Sequence, residues 1–229
     1  MFEVQEEIAA AIVGALQIKL ATKSEAGVRY KPNLPAYEAF LKGRHHWSKL
    51  TPDSLERSRK CYEQAVALDP RFALARNALA EHYLAMTANG LIPSQEAIPH
   101  VRGGAEAASR IDPTLAEPHA LLGILAATLE YDWPEAEQQF SLAMVREPVV
   151  PYVRWLHGQC LMMIGRSGEA IVEMERALQE DPLHVLCRCH LAGCLYAAGR
   201  LSDAFKQVRQ VLEIDENFWV LIGTFPGLT

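Results

Sequence analysis

The stretch Tyr152-Val153-Arg154-Trp155-Leu156-His157-Gly158-Gln159-Cys160-Leu161-Met162-Met163-Ile164, then Gly165-Arg166-Ser167-Gly168, then Glu169-Ala170-Ile171-Val172-Glu173-Met174-Glu175-Arg176-Ala177-Leu178, decides the fold. Apolar residues recur at steps of three and four on both sides of a glycine-bearing break, which predicts two helices joined by a tight turn. Pro182 closes the stretch, and the arrangement repeats at once: a helix from about Leu183 to Ala198, the turn Gly199-Arg200-Leu201-Ser202, and a helix from Asp203 to about Ile214. Gly158 and Ala170 in one hairpin, and Ala192 and Ala204 in the next, put small residues where paired helices must approach closely.

Outward from this stretch the closing proline recurs, in ALDP at 67–70, RIDP at 110–113, VREP at 145–148 and QEDP at 179–182, at intervals of 43, 35 and 34 residues. Such a period marks a repeat array in which each unit buries its apolar face against the next. The expected fold is all-α: a right-handed α-solenoid of about five helical hairpins, with units at about 36–70, 71–113, 114–148, 149–182 and 183–216.

The pattern of a small residue late in the first helix, Ala and a bulky apolar residue early in the second, a later Ala and a closing Pro resembles the tetratricopeptide repeat. Gly158, Ala170, Met174, Ala177 and Pro182 match it at full spacing. Gly123, Ala136, Phe140, Ala143 and Pro148 match with one residue added in the turn, at Tyr131-Asp132-Trp133-Pro134. Leu79, Ala80 and Tyr83 match a first helix whose Ala108 and Pro113 arrive nine residues late, so 87–95 reads as an expanded turn. The first unit carries three extra residues near Thr51-Pro52-Asp53, and the fifth has Glu216 where proline is expected. The resemblance implies a scaffold that binds a protein or peptide partner, or a second copy of itself, without catalysis.

Outside that register, Ile8, Ile12, Leu16 and Leu20 step by four, with acids in the first turn and Lys19 near the end. That predicts an amphipathic helix over 1–21 aligned with its dipole, followed by a linker over 22–35; residues 217–229, with Phe218-Trp219-Val220-Leu221-Ile222, read as a capping segment. The helix, the linker and Ala36–Arg44 resemble the junction in bacterial multidomain signalling proteins where an α/β domain precedes a tetratricopeptide array. Adenylate cyclase, kinase or winged-helix modules lie upstream in those proteins, so the resemblance implies a C-terminal fragment.

Composition sets the bounds. The 229 residues carry 22 Lys and Arg against 28 Asp and Glu, and no basic run forms a track for phosphates, so nucleic acid is excluded as the expected partner. The acidic start lacks the basic region of a secretory signal, and no apolar run has a membrane span's length. Five cysteines without a disulfide rhythm fit reduced thiols, so the expectation is a cytoplasmic chain with no membrane contact and no cofactor. A membrane-anchored or periplasmic parent stays open.

Counting back from the prolines assigns one face of each first helix to the concave groove. This gives Tyr37, Phe40, Arg44 and Trp47; Leu74, Asn77, Glu81 and Leu84; Glu117, Ala120, Ile124 and Ala127; Tyr152, Trp155, Gln159 and Met162; and Leu186, Cys189, Gly193 and Tyr196. The face is apolar and aromatic, suited to an extended or helical peptide whose burial of exposed aromatics supplies the affinity. The alternative for Tyr37, Phe40 and Trp47 is packing against the N-terminal helix. His184, Cys187, His190 and Cys194 lie on one helical arc and are of zinc-binding type, yet a tetrahedral site needs ligands converging from several directions, so metal is only the alternative reading. His45-His46 and Arg102-Gly103-Gly104-Ala105 lack the spacing for catalysis or phosphate binding.

Overall fold

The computed structural model describes residues 30–145 and 148–215. The predicted helix over 1–21, linker residues 22–29, Glu216 and the segment 217–229 lie outside the described residues. The chain divides into two compact units, Met1–Pro32 and Asn33–Thr229, and the fold reported is that of the second.

Among the described residues the secondary structure is helical throughout: α1 (Leu34–Trp47), α2 (Pro52–Leu68), α3 (Ala73–Ala88), α4 (Ser94–Ile111), α5 (Glu117–Leu125), α6 (Trp133–Met144), α7 (Pro151–Met163), α8 (Ser167–Glu180), α9 (Val185–Ala197) and α10 (Leu201–Ile214). They form five hairpins, α1/α2 to α9/α10, and the first helices α1, α3, α5, α7 and α9 also pack on one another in order. This is the expected all-α solenoid. None of its helices is long and apolar enough to cross a membrane.

The Asp-Pro pairs show why the first, second and fourth hairpins end where they do. A proline's ring disfavours helical backbone in the residue before it, and Asp69, Asp112 and Asp181 are non-helical, with φ of −143°, −134° and −128° and ψ of 89°, 92° and 80°. Each carbonyl then accepts the N–H three residues on, from Phe72, Leu115 and His184, which steers the chain into the next helix. Asn33 ties the first hairpin's ends together: its Oδ1 caps α1 at the Ala36 N–H, its own N–H donates to Asp69 Oδ2, and its Nδ2 donates to the Leu68 carbonyl.

Close approach fixes how the helices of each hairpin pair. A Cβ built on Gly43 would stand 2.5 Å from the Tyr62 ring, and one on Gly123 would stand 2.8 Å from the Phe140 ring. Both aromatic rings are buried, so the missing methyl is what lets them lie flat on the first helix. Inside the hairpins, Gly90, Gly165 and Gly199 take positive φ, and the N–H after each closes the helix by bonding to the carbonyls of Met86, Leu161 and Leu195. Leu50 and Tyr131 hold the same left-handed backbone in the first and third hairpins, at φ of 52° and 56°, a conformation costing about 1 kcal/mol or more for a residue with a side chain.

Two irregularities differ from the expanded turns read in the sequence. In the second hairpin the turn spans only Asn89–Pro93; relative to the fifth hairpin, α3 is three residues longer, α4 four longer and the turn two longer. The insertion extends helices because 94–98 is a competent first turn ahead of Pro99, which α4 tolerates near its start. In the third hairpin the added residue is taken up as a π-helical turn, Ala126–Glu130, at the end of α5. Arg102 from α4 clasps Glu130 through both carboxylate oxygens.

Close packing at Gly43 and open space at Gly103 give one substitution type opposite signs. Gly43→Ala should destabilise the protein by about 1–3 kcal/mol through overpacking against Tyr62, whereas Gly103→Ala, in an open exposed position of α4, should stabilise it by up to about 1 kcal/mol through helix propensity. Urea titration reads both; equal stabilisation by the two would refute the close-approach account.

Candidate functional site

The concave side is built by α1, α3, α5, α7 and α9, and its polar side chains meet one another. Arg44 Nη1 of α1 bonds Glu81 Oε2 of α3 at 3.1 Å, and the guanidinium lies over the Trp47 ring at 5.4 Å. Burial pushes the Glu81 carboxyl above its ordinary pKa, opposed by Arg44 and by the Tyr152 hydroxyl. Tyr152, from α7, reaches α3 across the intervening α5, which places the small Ala120 at the matching register. Burial first, and the Glu81 charge second, hold the Tyr152 phenol well above its usual pKa, while Asn77 acts in the other direction. Three oxygens in this cluster, Asn77 Oδ1, Glu81 Oε1 and Tyr152 Oη, are buried without a well-formed hydrogen bond.

A second cluster joins α7 to α9. The Trp155 indole N–H donates to His190 Nδ1 at 2.9 Å, and Gln159 lies 2.7 Å from His190 Nε2. An indole can only donate, so His190 is the neutral tautomer with its proton on Nε2, and Gln159 must turn its carbonyl oxygen towards that proton. Burial lowers the His190 pKa to about 4. The Trp155 ring also lies 4.8 Å from His184 and 5.9 Å from Tyr152, centroid to centroid. A third, aromatic cluster spans the first two hairpins, where Phe40 meets Phe72 edge-on at 5.1 Å and Tyr37 stacks on Phe40 at 6.4 Å.

The structure therefore departs from the expected open aromatic groove. Trp47, Asn77, Glu81, Ile124, Trp155 and Cys189 are buried, with Trp155 only 5% exposed. The reason is that first helices come close enough for their side chains to pair, both between adjacent hairpins, as Glu81 does with Arg44, and across an intervening one, as Glu81 does with Tyr152. Phe40, Arg44, Leu74, Leu84, Tyr152, Gln159 and Met162 are half-buried. Tyr37 and Tyr196 are exposed, at 44% and 42%.

The four residues weighed as metal ligands are engaged separately. His184 Nδ1 caps α9 by accepting the Cys187 N–H, Cys187 Sγ points at the Met174 carbonyl, and His190 faces Trp155 and Gln159. Among the described residues no three His, Cys, Asp or Glu side chains are grouped to hold a metal. The five thiols are unpaired, and burial pushes Cys187 and Cys189 up to about 12 and Cys194 to about 11, leaving them poor nucleophiles. Arg102-Gly103-Gly104-Ala105 lies inside α4. Sequence reasoning missed two residues: His190 as the acceptor for Trp155, and His82, which is fully buried with both ring nitrogens unbonded. No pattern marks either: the partners of His190 lie on another helix, and the ring nitrogens of His82 bond to nothing.

Comparison with known proteins matches residues 161–218 to the tetratricopeptide repeat family. The transcriptional regulator HilA of Salmonella paratyphi A is 29% identical over 167 residues, covering 73% of this chain and 30% of that protein. The chain thus spans under a third of the curated relatives' length. Among solved structures, TTC0263, a thermophilic TPR protein of Thermus thermophilus, is 19% identical, covers 84% of this chain and 95% of that one, and superposes with a TM-score of 0.56. The human IFIT1 dimer with m7Gppp-AAAA is 19% identical over 89% of this chain and 47% of that one, with a TM-score of 0.64. The two structures establish the fold alone.

The buried histidines set a pH dependence. His82 and His190 have folded pKa values of about 4, in both cases chiefly through burial, below the roughly 6.5 of an unfolded chain. The unfolded state therefore binds more protons in this window, and stability is complete above pH 6.5 and falls as pH drops towards 4. His190→Gln keeps an acceptor for Trp155 and removes the titration, so the loss between pH 7 and pH 5 should shrink by about 2 kcal/mol in denaturant titrations; an unchanged loss would contradict the assignment.

Proposed function

We propose that this tetratricopeptide-repeat protein is the interaction region of a bacterial signalling or transcription-regulating protein, and that it engages a polypeptide segment through its concave face. The fold is that of a protein-interaction scaffold, and partner binding is what the repeats support. The likeness to one part of a transcriptional regulator favours a regulatory parent, in which this region receives a signal from another protein. The reading is that of a scaffold and not of an enzyme.

The observation that supports the concave face as the partner surface is an imperfectly paired polar cluster, in which Tyr152 leans on Glu81 and Asn77 without good hydrogen-bond geometry. Asn77 Oδ1, Glu81 Oε1 and Tyr152 Oη come from two different hairpins and sit together without well-formed hydrogen bonds. Buried polar atoms of this kind cost stability, and a segment that parts the first helices and offers backbone N–H groups or a donor side chain would satisfy them. Exposed Tyr37 and Tyr196, on the first and last of the five first helices, add aromatic contact area of the type that anchors interfaces.

Cross-linking followed by mass spectrometry in cells of the source organism tests this. Partner cross-links are expected on α1, α3, α7 and α9, weakened at least several-fold by Glu81→Gln combined with Tyr152→Phe in a protein of unchanged helicity. Cross-links confined to the second helices, or indifferent to the double variant, would refute the concave-face reading.

A further inference from the structure

The turn between α1 and α2 is built at a cost that three of the other four hairpins avoid, the exception being Tyr131 in the third, where the following N–H of Asp132 bonds the Ala126 carbonyl. Three of the five hairpins place glycine at the left-handed position of this turn, Gly90, Gly165 and Gly199, and each is supported by a closing backbone hydrogen bond. The first hairpin places Leu50 there at φ 52°, and the next N–H, that of Thr51, goes instead to Ser54 Oγ at 2.9 Å. A bulky residue in a strained conformation without that supporting bond calls for a reason in its side chain.

That side chain packs far along the sequence. Leu50 sits against the apolar cluster of Cys189 and Val211 in the fifth hairpin, together with Val185 and Leu186, while also touching the main core that contains Trp47 and Trp155. Arg44, one turn and a half earlier, lies within electrostatic reach of Asp181 and His184 at the entrance to α9. The first hairpin's turn thus meets the last hairpin across the concave side. Cys189, assigned by its register to the groove, is buried there.

We propose that Leu50 is a latch: seated on the Cys189 cluster, it holds the first and fifth hairpins together and keeps the concave face closed, and a partner gains entry when this turn lifts. Its role in gating a partner rests on the concave-face reading above, but the closure itself does not. Replacing Leu50 with glycine relieves the backbone, so strain alone predicts a tighter structure. The latch predicts a looser one at a single distant place.

The thiol of Cys189 reports on this directly. Maleimide labelling of the full chain, mapped by mass spectrometry, should modify Cys189 at least tenfold faster in Leu50→Gly than in the wild type, with Cys160, Cys187 and Cys194 unchanged because their own hairpins cover them. Leu50→Asn, which also tolerates left-handed backbone, should show the same selective gain and serves if the glycine variant folds poorly. A Cys189 rate equal to the wild type's in a folded variant, or a parallel rise at all four buried thiols, would overturn the latch. Neither outcome depends on a partner, so the proposal can fail while the interaction role stands.

Discussion

Close approach of the two helices in each hairpin is the constraint on which the rest of this structure depends. Where Gly43, Gly123 and Gly158 present bare backbone, the side chains of Tyr62, Phe140 and Met174 lie directly on the first helix. With the hairpins pinned at these points, the angle between successive units is set by what remains to be packed, and the first helices line up along one side. The Asp-Pro junctions carry that geometry from unit to unit, since a non-helical aspartate ends one helix and its carbonyl starts the turn into the next.

The consequence appears on the concave side. Because the first helices of separate hairpins come within side-chain reach, Arg44 pairs with Glu81, Tyr152 leans on both Glu81 and Asn77, and Trp155 donates to His190. The first and last of these join neighbouring hairpins; Tyr152 with Glu81 and Asn77 skips a unit, a contact that a strictly nearest-neighbour array lacks. They couple the first, second, fourth and fifth units.

The sequence makes the hairpins legible because their determinants are local. The small residues, the left-handed glycines and the prolines each act within about 35 residues, and their recurrence gives the register. Exposure on the concave face was not legible in the same way. Trp155 reads as an exposed anchor when its helix is considered alone, and is buried because α9 brings His184 and His190 against it. His190 itself reads as a metal ligand from its spacing to His184, Cys187 and Cys194, although its partners lie 31 and 35 residues upstream. The second hairpin shows the limit from another side: an insertion read as a loop became helix, because nothing in 94–98 opposes helical backbone.

The central claim is that the concave side chains are engaged with one another, with Trp155 and His190 as the link between the last two hairpins. Nitrogen-15 NMR of the histidine rings and tryptophan indoles measures this directly. The account predicts a His190 ring that stays neutral with its proton on Nε2 down to about pH 5, beside a Trp155 indole N–H strongly protected from exchange. A His190 that titrates near 6.5, next to a Trp155 indole exchanging at the rate of a solvent-exposed one, would contradict it.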